Sequence, residues 1–180
     1  MNESMSITAT LAAAAGNSQS LIPSEGVADT LHIGTDDLPW MDVAGMEVQV
    51  LQVDLANGQW VVRAKLHPGS NPGRHYHTGS VTAVTTKGRW WYKETPDQVN
   101  SAGSYLFEPA MSMHTLVIPA DQEGPTEVWF TVNGANIDLD VEGNVVSILD
   151  ANTILQAYRA HCESTGASCE KMIVIGENLL

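Results

Sequence analysis

The segment 69–77 reads Gly69-Ser-Asn-Pro-Gly-Arg-His75-Tyr-His77 and carries two histidines one residue apart. Alternate side chains of a β-strand point to the same face, so a strand here would present both imidazoles to one side. Imidazole is a common metal ligand, but the spacing alone is weak because such pairs also occur on ordinary surface strands. The neighbouring sequence therefore has to show whether these histidines belong to a metal site.

The sequence on either side of this segment has the pattern of a β-protein. Apolar residues alternate in 46–53, and the turn signal Asn57-Gly58 separates this stretch from 60–66. Turns rich in Gly, Pro, Asn and Asp follow at short intervals. Ten strands are predicted on this basis: 46–53, 60–66, 74–78, 81–86, 89–94, 104–107, 113–118, 126–132, 136–141 and 144–149. Many short strands of this kind predict an all-β domain, an antiparallel sandwich or barrel.

A single helix is predicted near the C-terminus. Asp150 can cap its first turn, and Gly166 is expected to end it. One apolar stripe runs along it and comprises Ala151, Ile154, Leu155, Tyr158 and Cys162. The chain is therefore predicted to form one domain over residues 29–180, with its β core at about 45–150 and the helix packed on it. Residues 1–28, rich in Ala, Ser, Thr and Asn, are predicted to be an N-terminal tail.

The charge distribution argues against several classes of partner. The 180 residues contain 21 acidic and 8 basic side chains, a formal net charge of −13 at pH 7. Nucleic acids and anionic membranes attract basic surfaces, so neither is an expected partner. No Lys or Arg precedes Arg63, so the apolar residues 9–15 lack the basic stretch of a secretory signal. With two cysteines and no apolar run near the ~20 residues of a membrane span, a soluble cytoplasmic protein is expected.

Together with the downstream sequence, the His-x-His segment resembles the two motifs of the cupin superfamily. The matching residues are Gly69, His75, His77 and Gly88, followed by Gly103, Pro109 and His114. The chain departs from the motifs at Val81, where cupins have a metal-binding Glu, and at Met111, where they have a Gly. The resemblance therefore implies a cupin-type antiparallel barrel or jelly roll in which three neutral imidazoles, those of His75, His77 and His114, hold a metal.

The form of the motifs is similar to that of the 2,4'-dihydroxyacetophenone dioxygenase-like cupins. The segments that carry this likeness are 32–40, His75-Tyr-His-Thr-Gly79, Gly88-Arg-Trp-Trp-Tyr-Lys-Glu94, 103–109, His114-Thr-Leu116 and the helix residues 155–162. The resemblance implies a non-haem Fe(II) enzyme that uses O2 to cleave the C–C bond between the carbonyl and hydroxylated carbons of an aryl hydroxyketone. The namesake substrate gives 4-hydroxybenzoate and formate. Fe(II) is the expected cofactor, although imidazole also accepts Zn(II), Ni(II), Cu(II) or Mn(II).

Two acids are candidates for catalytic roles in which they do not bind the metal. Glu108 lies six residues before His114 and could orient an imidazole or a bound substrate. Glu94 ends a predicted strand in which Trp90 and Tyr92 would share its face. For both acids the alternative is a solvated carboxylate or an ion pair with an arginine.

A pocket for the aryl ring is expected from three side chains near the histidines: Trp90, Tyr92 and Met111. Aromatic residues and methionines are also common core fillers, so core packing is the alternative for each of them. His32 and His161 lie outside both motifs and are not expected to bind metal.

Other functions remain open on the sequence. Acetylacetone dioxygenase is a three-histidine cupin of related chemistry, so a diketone is an alternative substrate. Zinc-binding anti-sigma factors also use cupin domains, so a non-catalytic sensor is the alternative from another class. A metal-dependent isomerase or hydrolase is the third. A homodimer or homotetramer is expected, because association covers the exposed edges of cupin sheets.

Overall fold

The computed structural model describes residues 29–43 and 45–177, so the predicted tail at residues 1–28 lies outside the described residues. The strands of the described part are β1 (Met41–Val43), β2 (Met46–Asp54), β3 (Gln59–Leu66), β4 (Arg74–His77), β5 (Val81–Lys87), β6 (Arg89–Tyr92), β7 (Thr95–Ser101), β8 (Tyr105–Glu108), β9 (Met113–Val117), β10 (Thr126–Asn133), β11 (Asn136–Leu139), β12 (Val145–Leu149) and β13 (Ile173–Ile175). Helix α1 (Ala151–Thr165) follows β12. None of the helical structure described is long and apolar enough to cross a membrane.

The strands form two sheets that face each other. The first sheet has the order β1-β2-β3-β10-β5-β8, with β13 added parallel to β2, and the second has the order β12-β11-β4-β9-β6-β7. The sheets share apolar contacts: Leu66, Ala83 and Val128 of the first pack with Trp90, Tyr92 and Leu116 of the second. This arrangement confirms the prediction of an all-β domain with antiparallel sheets and a C-terminal helix.

Three strands, β1, β7 and β13, were absent from the sequence prediction. β7 is polar, contains Pro96, and buries only Asn100. It lies at the edge of its sheet, where β6 is its partner among the described strands, a position in which polar residues and proline are tolerated. β1 and β13 have three residues each, and both pair with β2. Strands of three residues are too short to show an alternation, and β13 in addition depends on a partner far away in the sequence.

Helix α1 begins and ends at the predicted caps. The Thr153 amide donates to the Asp150 carboxylate at 2.7 Å, and Gly166 closes the helix with a φ of 69°. The buried side chains are the five predicted ones: Ala151, Ile154, Leu155, Tyr158 and Cys162. They belong to the larger core cluster, together with Val50 and Val53 of β2. The helix is therefore held by burial of its apolar stripe against the first sheet.

Candidate metal centre

The three histidines of the motifs lie together on the inner face of the second sheet. His75 and His77 come from β4 and His114 from β9, and the antiparallel register places His114 directly opposite His75. All three are buried, with exposed fractions of 8%, 7% and 4%. One possible ligand atom from each lies within 4.8 Å of those of the other two. The two-residue period of the strand thus puts the imidazoles of His75 and His77 on one side of β4, and the pairing with β9 places the His114 imidazole next to them.

Burial keeps these imidazoles neutral, which is the form that binds a metal. Desolvation lowers the pKa of His77 to about 3 and the pKa of His114 to about 4, and it also lowers the pKa of His75. The Nδ1 atom of His75 lies 3.3 Å from the Gly73 carbonyl oxygen. With Nδ1 donating to this oxygen, the lone pair of Nε2 is free for an ion.

Glu108 reaches the histidines from the opposite sheet. It ends β8, and only 3% of its side chain is exposed. Its Oε2 atom lies 3.4 Å from His77 Nε2 and 3.3 Å from His114 Nε2. Its Oε1 atom accepts a hydrogen bond from the hydroxyl of Tyr92, whose ring stacks on His114 with the centroids 4.2 Å apart. Burial raises the pKa of Glu108 to about 7, although the bond from Tyr92 acts in the opposite sense.

The unpaired polar atoms of this cluster fit a bound cation. Within the described residues, His77 Nδ1, Glu108 Oε2 and His114 Nε2 are buried without a hydrogen-bond partner. Buried polar atoms are nearly always paired, and Glu108 Oε2 and His114 Nε2 lie 3.3 Å apart, so these two atoms indicate that a partner belongs beside them. His77 Nδ1 lies on the other side of its ring from the Nε2 atom that faces Glu108. Imidazole nitrogen and carboxylate oxygen are both ligands of divalent transition ions. The residues present therefore fit the metal that the motifs imply.

A cavity of about 110 Å³ extends from the cluster between the two sheets. Its wall is mostly apolar and includes Val48, Trp60, Val62, Ala64, Phe130 and Val132. Its polar lining comprises His75, His77, Tyr92, Glu108, Asn136 and Asp138, with no Lys or Arg among the described residues that line it. An apolar cavity of about 150 Å³ can hold benzene, so this cavity has the scale of one compact group.

Of the three predicted pocket residues, Tyr92 lines the cavity, whereas Trp90 and Met111 do not. Trp90 is fully buried in the core, where its indole N–H donates to Thr85 Oγ1 at 2.9 Å. Met111 lies in the turn before β9, is 63% exposed and has a φ of 66°. The two-residue period of β6 correctly places Trp90 and Tyr92 on the same inward face. Which of them reaches the cavity depends on how the opposite sheet packs against that face.

Glu94 is not among the residues that line the cavity. β6 ends at Tyr92, and Glu94 lies in the following turn, so the predicted strand 89–94 is two residues too long. The Glu94 carboxylate accepts hydrogen bonds from the Thr115 amide at 2.9 Å and from the Thr115 hydroxyl at 3.1 Å. Glu94 therefore holds the backbone next to His114 from outside the cavity.

Two polar residues of the cavity, Asn136 and Asp138, were missed on the sequence. The register of β11 places Asp138 directly opposite His75. The Asp138 carboxylate accepts hydrogen bonds from Asn136 Nδ2 at 2.8 Å and from the Ser147 hydroxyl. The alternation of Asn136 and Asp138 with the apolar Ile137 would have assigned Ile137 to the inner face instead, so only the pairing of β11 with β4 places Asn136 and Asp138 beside the histidines.

The metal-free protein is expected to lose stability as the pH falls from 6.5 to about 4.5. The three imidazoles have a native pKa below the unfolded value of about 6.5, so the unfolded state binds their protons first and is favoured by acid. Glu108 opposes this trend, because its raised native pKa lets the folded state take up one proton over about the same range. Three groups outweigh one, so the thermal unfolding midpoint should fall by at least about 5 °C. Calorimetry of chelator-treated protein checks this, and a midpoint that rises on acidification would contradict it.

The fold and the histidine cluster define a cupin, and comparison with known proteins identifies the family. The model of the ChrR cupin-like domain matches residues 28–136, so the chain belongs to that family. A crystal structure of a protein of unknown function with a cupin-like fold from Ralstonia eutropha JMP134 is similar, with 31% identity over 84% of this chain and 94% of that one, and a TM-score of 0.76.

Two further solved structures share the fold. An RmlC-like cupin protein, also from Ralstonia eutropha JMP134, has 28% identity over 81% of this chain and 94% of its own, with a TM-score of 0.75. The acetylacetone dioxygenase of Acinetobacter johnsonii has 18% identity over 79% of this chain and 99% of its own, with a TM-score of 0.64. A search of the curated proteins gave no match.

Proposed function

We propose that the protein is a non-haem Fe(II)-dependent dioxygenase that cleaves the C–C bond between the carbonyl and hydroxylated carbons of an aryl hydroxyketone. The model substrate is 2,4'-dihydroxyacetophenone, with 4-hydroxybenzoate and formate as products. The observation that carries the proposal is the junction of a cluster of buried imidazoles with a mostly apolar cavity of about 110 Å³. The likeness to acetylacetone dioxygenase supports the scaffold alone, so the substrate class rests on the cavity and on the motif resemblance.

In this proposal a bound Fe(II) ion supplies Lewis acidity and a site for O2. His75, His77 and His114 hold the ion as neutral ligands, which leaves positive charge for the oxygens of a hydroxyketone or its enolate. The apolar wall receives the aryl ring and excludes water. Because no Lys or Arg lines the described cavity, a second anionic group on the substrate would be unfavourable there.

Metal analysis combined with an oxygen electrode tests the proposal. The expected result is stoichiometric iron, together with O2 uptake that depends on the aryl hydroxyketone and yields 4-hydroxybenzoate and formate. O2 uptake with acetylacetone and not with the hydroxyketone would contradict the proposed substrate and assign a diketone instead. Tightly bound zinc without O2 uptake on either compound would contradict the proposed activity.

The family match favours a second candidate, a non-catalytic zinc-binding sensor domain, because the matching family is named after ChrR. A purely structural zinc site is closed by its ligands and the packing around them. Here the histidine cluster adjoins a cavity instead, which favours an enzyme over the sensor.

The homodimer or homotetramer expected from the sequence belongs to the same proposal. Strand β8 is an edge of the first sheet, and its Tyr105 and Phe107 are 67% and 56% exposed. Large apolar side chains on an open edge are typical of surfaces that become covered. Light scattering tests this, and a monomer of 19.3 kDa would contradict it.

A further inference from the structure

The carboxylate that is missing at Val81 is present on the neighbouring strand. β5 and β8 are antiparallel partners, and Glu108 lies directly opposite Val81. Residues directly opposite in an antiparallel pair point to the same face, with Cβ atoms about 4.5–5.5 Å apart. A glutamate at position 108 can therefore bring its carboxylate into the space that a glutamate at position 81 would reach.

The distances around Glu108 Oε2 are those between ligands of one ion. It lies 3.4 Å from His77 Nε2 and 3.3 Å from His114 Nε2. Ligand atoms bound at about 2.0–2.2 Å to one ion lie about 2.8–3.1 Å apart in octahedral geometry and about 3.3–3.6 Å apart in tetrahedral geometry, so these separations fit tetrahedral ligands. Neither Glu108 Oε2 nor His114 Nε2 has a hydrogen-bond partner among the described residues, although they lie this close. The two atoms therefore lie side by side instead of forming a hydrogen bond.

Tyr92 fixes the orientation of the carboxylate. Its hydroxyl donates to Glu108 Oε1, and its ring stacks on His114, so Oε2 is the oxygen left facing the imidazoles. Among the described residues, the basic groups within 4 Å of the Glu108 carboxylate are the imidazoles of His77 and His114, and no Lys or Arg side chain lies that close. The Oε2 atom is buried without a hydrogen-bond partner, and a metal ion between it and the imidazoles would satisfy it.

We propose that Glu108 is the fourth protein ligand of the metal, through Oε2, and that Tyr92 is the residue that positions it. This inference rests on the metal centre of the proposed function and replaces the expectation that Glu108 acts without binding the ion. The site would then carry a net charge of one plus with a divalent ion, so a monoanionic enolate would neutralise it. Compared with the cupin motif, in which the glutamate would stand at position 81 of β5, the carboxylate would come from the paired strand β8 and occupy the same space.

Binding of Co(II) to the metal-free protein tests the proposal, because the visible spectrum of Co(II) reports its ligands. Glu108→Gln keeps the size of the side chain and removes its charge. The expected result is a changed Co(II) spectrum and a loss of affinity beyond the about 10–100-fold that loss of an outer hydrogen-bond partner costs. Tyr92→Phe should keep the wild-type spectrum with a smaller loss of affinity. Glu47→Gln is the matched control and should change neither quantity, because Glu47 is a partly exposed glutamate of β2 whose carboxylate lies 2.9 Å from His67 Nε2, outside the cluster.

The outcomes separate this proposal from the proposed metal centre. If Glu108→Gln binds Co(II) with the wild-type spectrum and affinity while His75→Ala does not bind it, the fourth-ligand assignment is wrong and the three-histidine site stands. If the wild-type protein does not bind Co(II), both proposals fail. A crystal structure of the Co(II)-loaded wild-type protein decides the point even if Glu108→Gln does not fold. The Co–Oε2 distance should be about 2.0–2.2 Å, and a distance above about 3 Å would overturn the assignment.

Discussion

Replacing His114 with alanine is expected to remove stoichiometric metal from the protein and to reduce O2 uptake to background, with the fold retained. The imidazole lies opposite His75 across the β4–β9 ladder and contributes one of three convergent nitrogens. Truncation deletes a ligand, and the remaining donors cannot fill the vacated position because His75 and His77 are held by β4 and Glu108 by β8. His75→Ala and His77→Ala should behave in the same way. Elemental analysis after dialysis, with circular dichroism for the fold, measures both effects.

His161 supplies the matched control for these three variants. It lies on helix α1, where its ring stacks on Tyr158 with the centroids 6.4 Å apart, and it is not in the cluster. His161→Ala should therefore keep the wild-type metal content and rate. Full metal occupancy in His114→Ala would show that the metal is held elsewhere.

Local periodicity was sufficient to predict the features of this protein that lie within one element. The spacing of His75 and His77 gave their shared face, because a strand repeats every two residues. The buried stripe of α1 and its caps at Asp150 and Gly166 followed from the helical repeat and from capping chemistry in the same way. Each of these features depends only on residues of a single strand or helix and its caps.

The remaining features depend on register between distant segments. The distance from Glu108 to the histidines requires two sheets to pack face to face, and its position opposite Val81 requires the β5–β8 pairing. The strand β7 exists only as the edge partner of β6, and its polar sequence carries no alternation. Trp90 and Tyr92 have the same parity, yet only Tyr92 lines the cavity, because the opposite sheet fills the space beside Trp90. No pattern within a single strand contains this information.

Filling the cavity from its apolar wall is expected to abolish turnover of an aryl hydroxyketone while leaving the metal in place. Ala64 lies on β3, is 2% exposed, and lines the cavity between Val48 and Val128 on the neighbouring strands. Ala64→Leu adds three carbon atoms to a space of about 110 Å³, so the ring and the new side chain would compete for the same volume. The expected result is a fall in kcat/KM of about 100-fold or more, since a displacement of about 1 Å from the reactive geometry already costs that much.

Val84→Leu provides the control for Ala64→Leu, because it enlarges a side chain of the same sheet on its outer face. Val84 is 42% exposed and pairs with Trp129 and Tyr105, also exposed residues. This variant should keep the wild-type rate and metal content.

Overpacking can also destabilise a protein by about 1–3 kcal/mol, so the thermal midpoint and the metal content of Ala64→Leu are measured alongside the kinetics. A folded, metal-loaded Ala64→Leu variant with the wild-type kcat/KM would show that the substrate does not occupy this cavity. Loss of turnover with the metal retained would place the aryl ring against β3, on the wall opposite the histidine strands, and would separate the substrate site from the metal site by mutation.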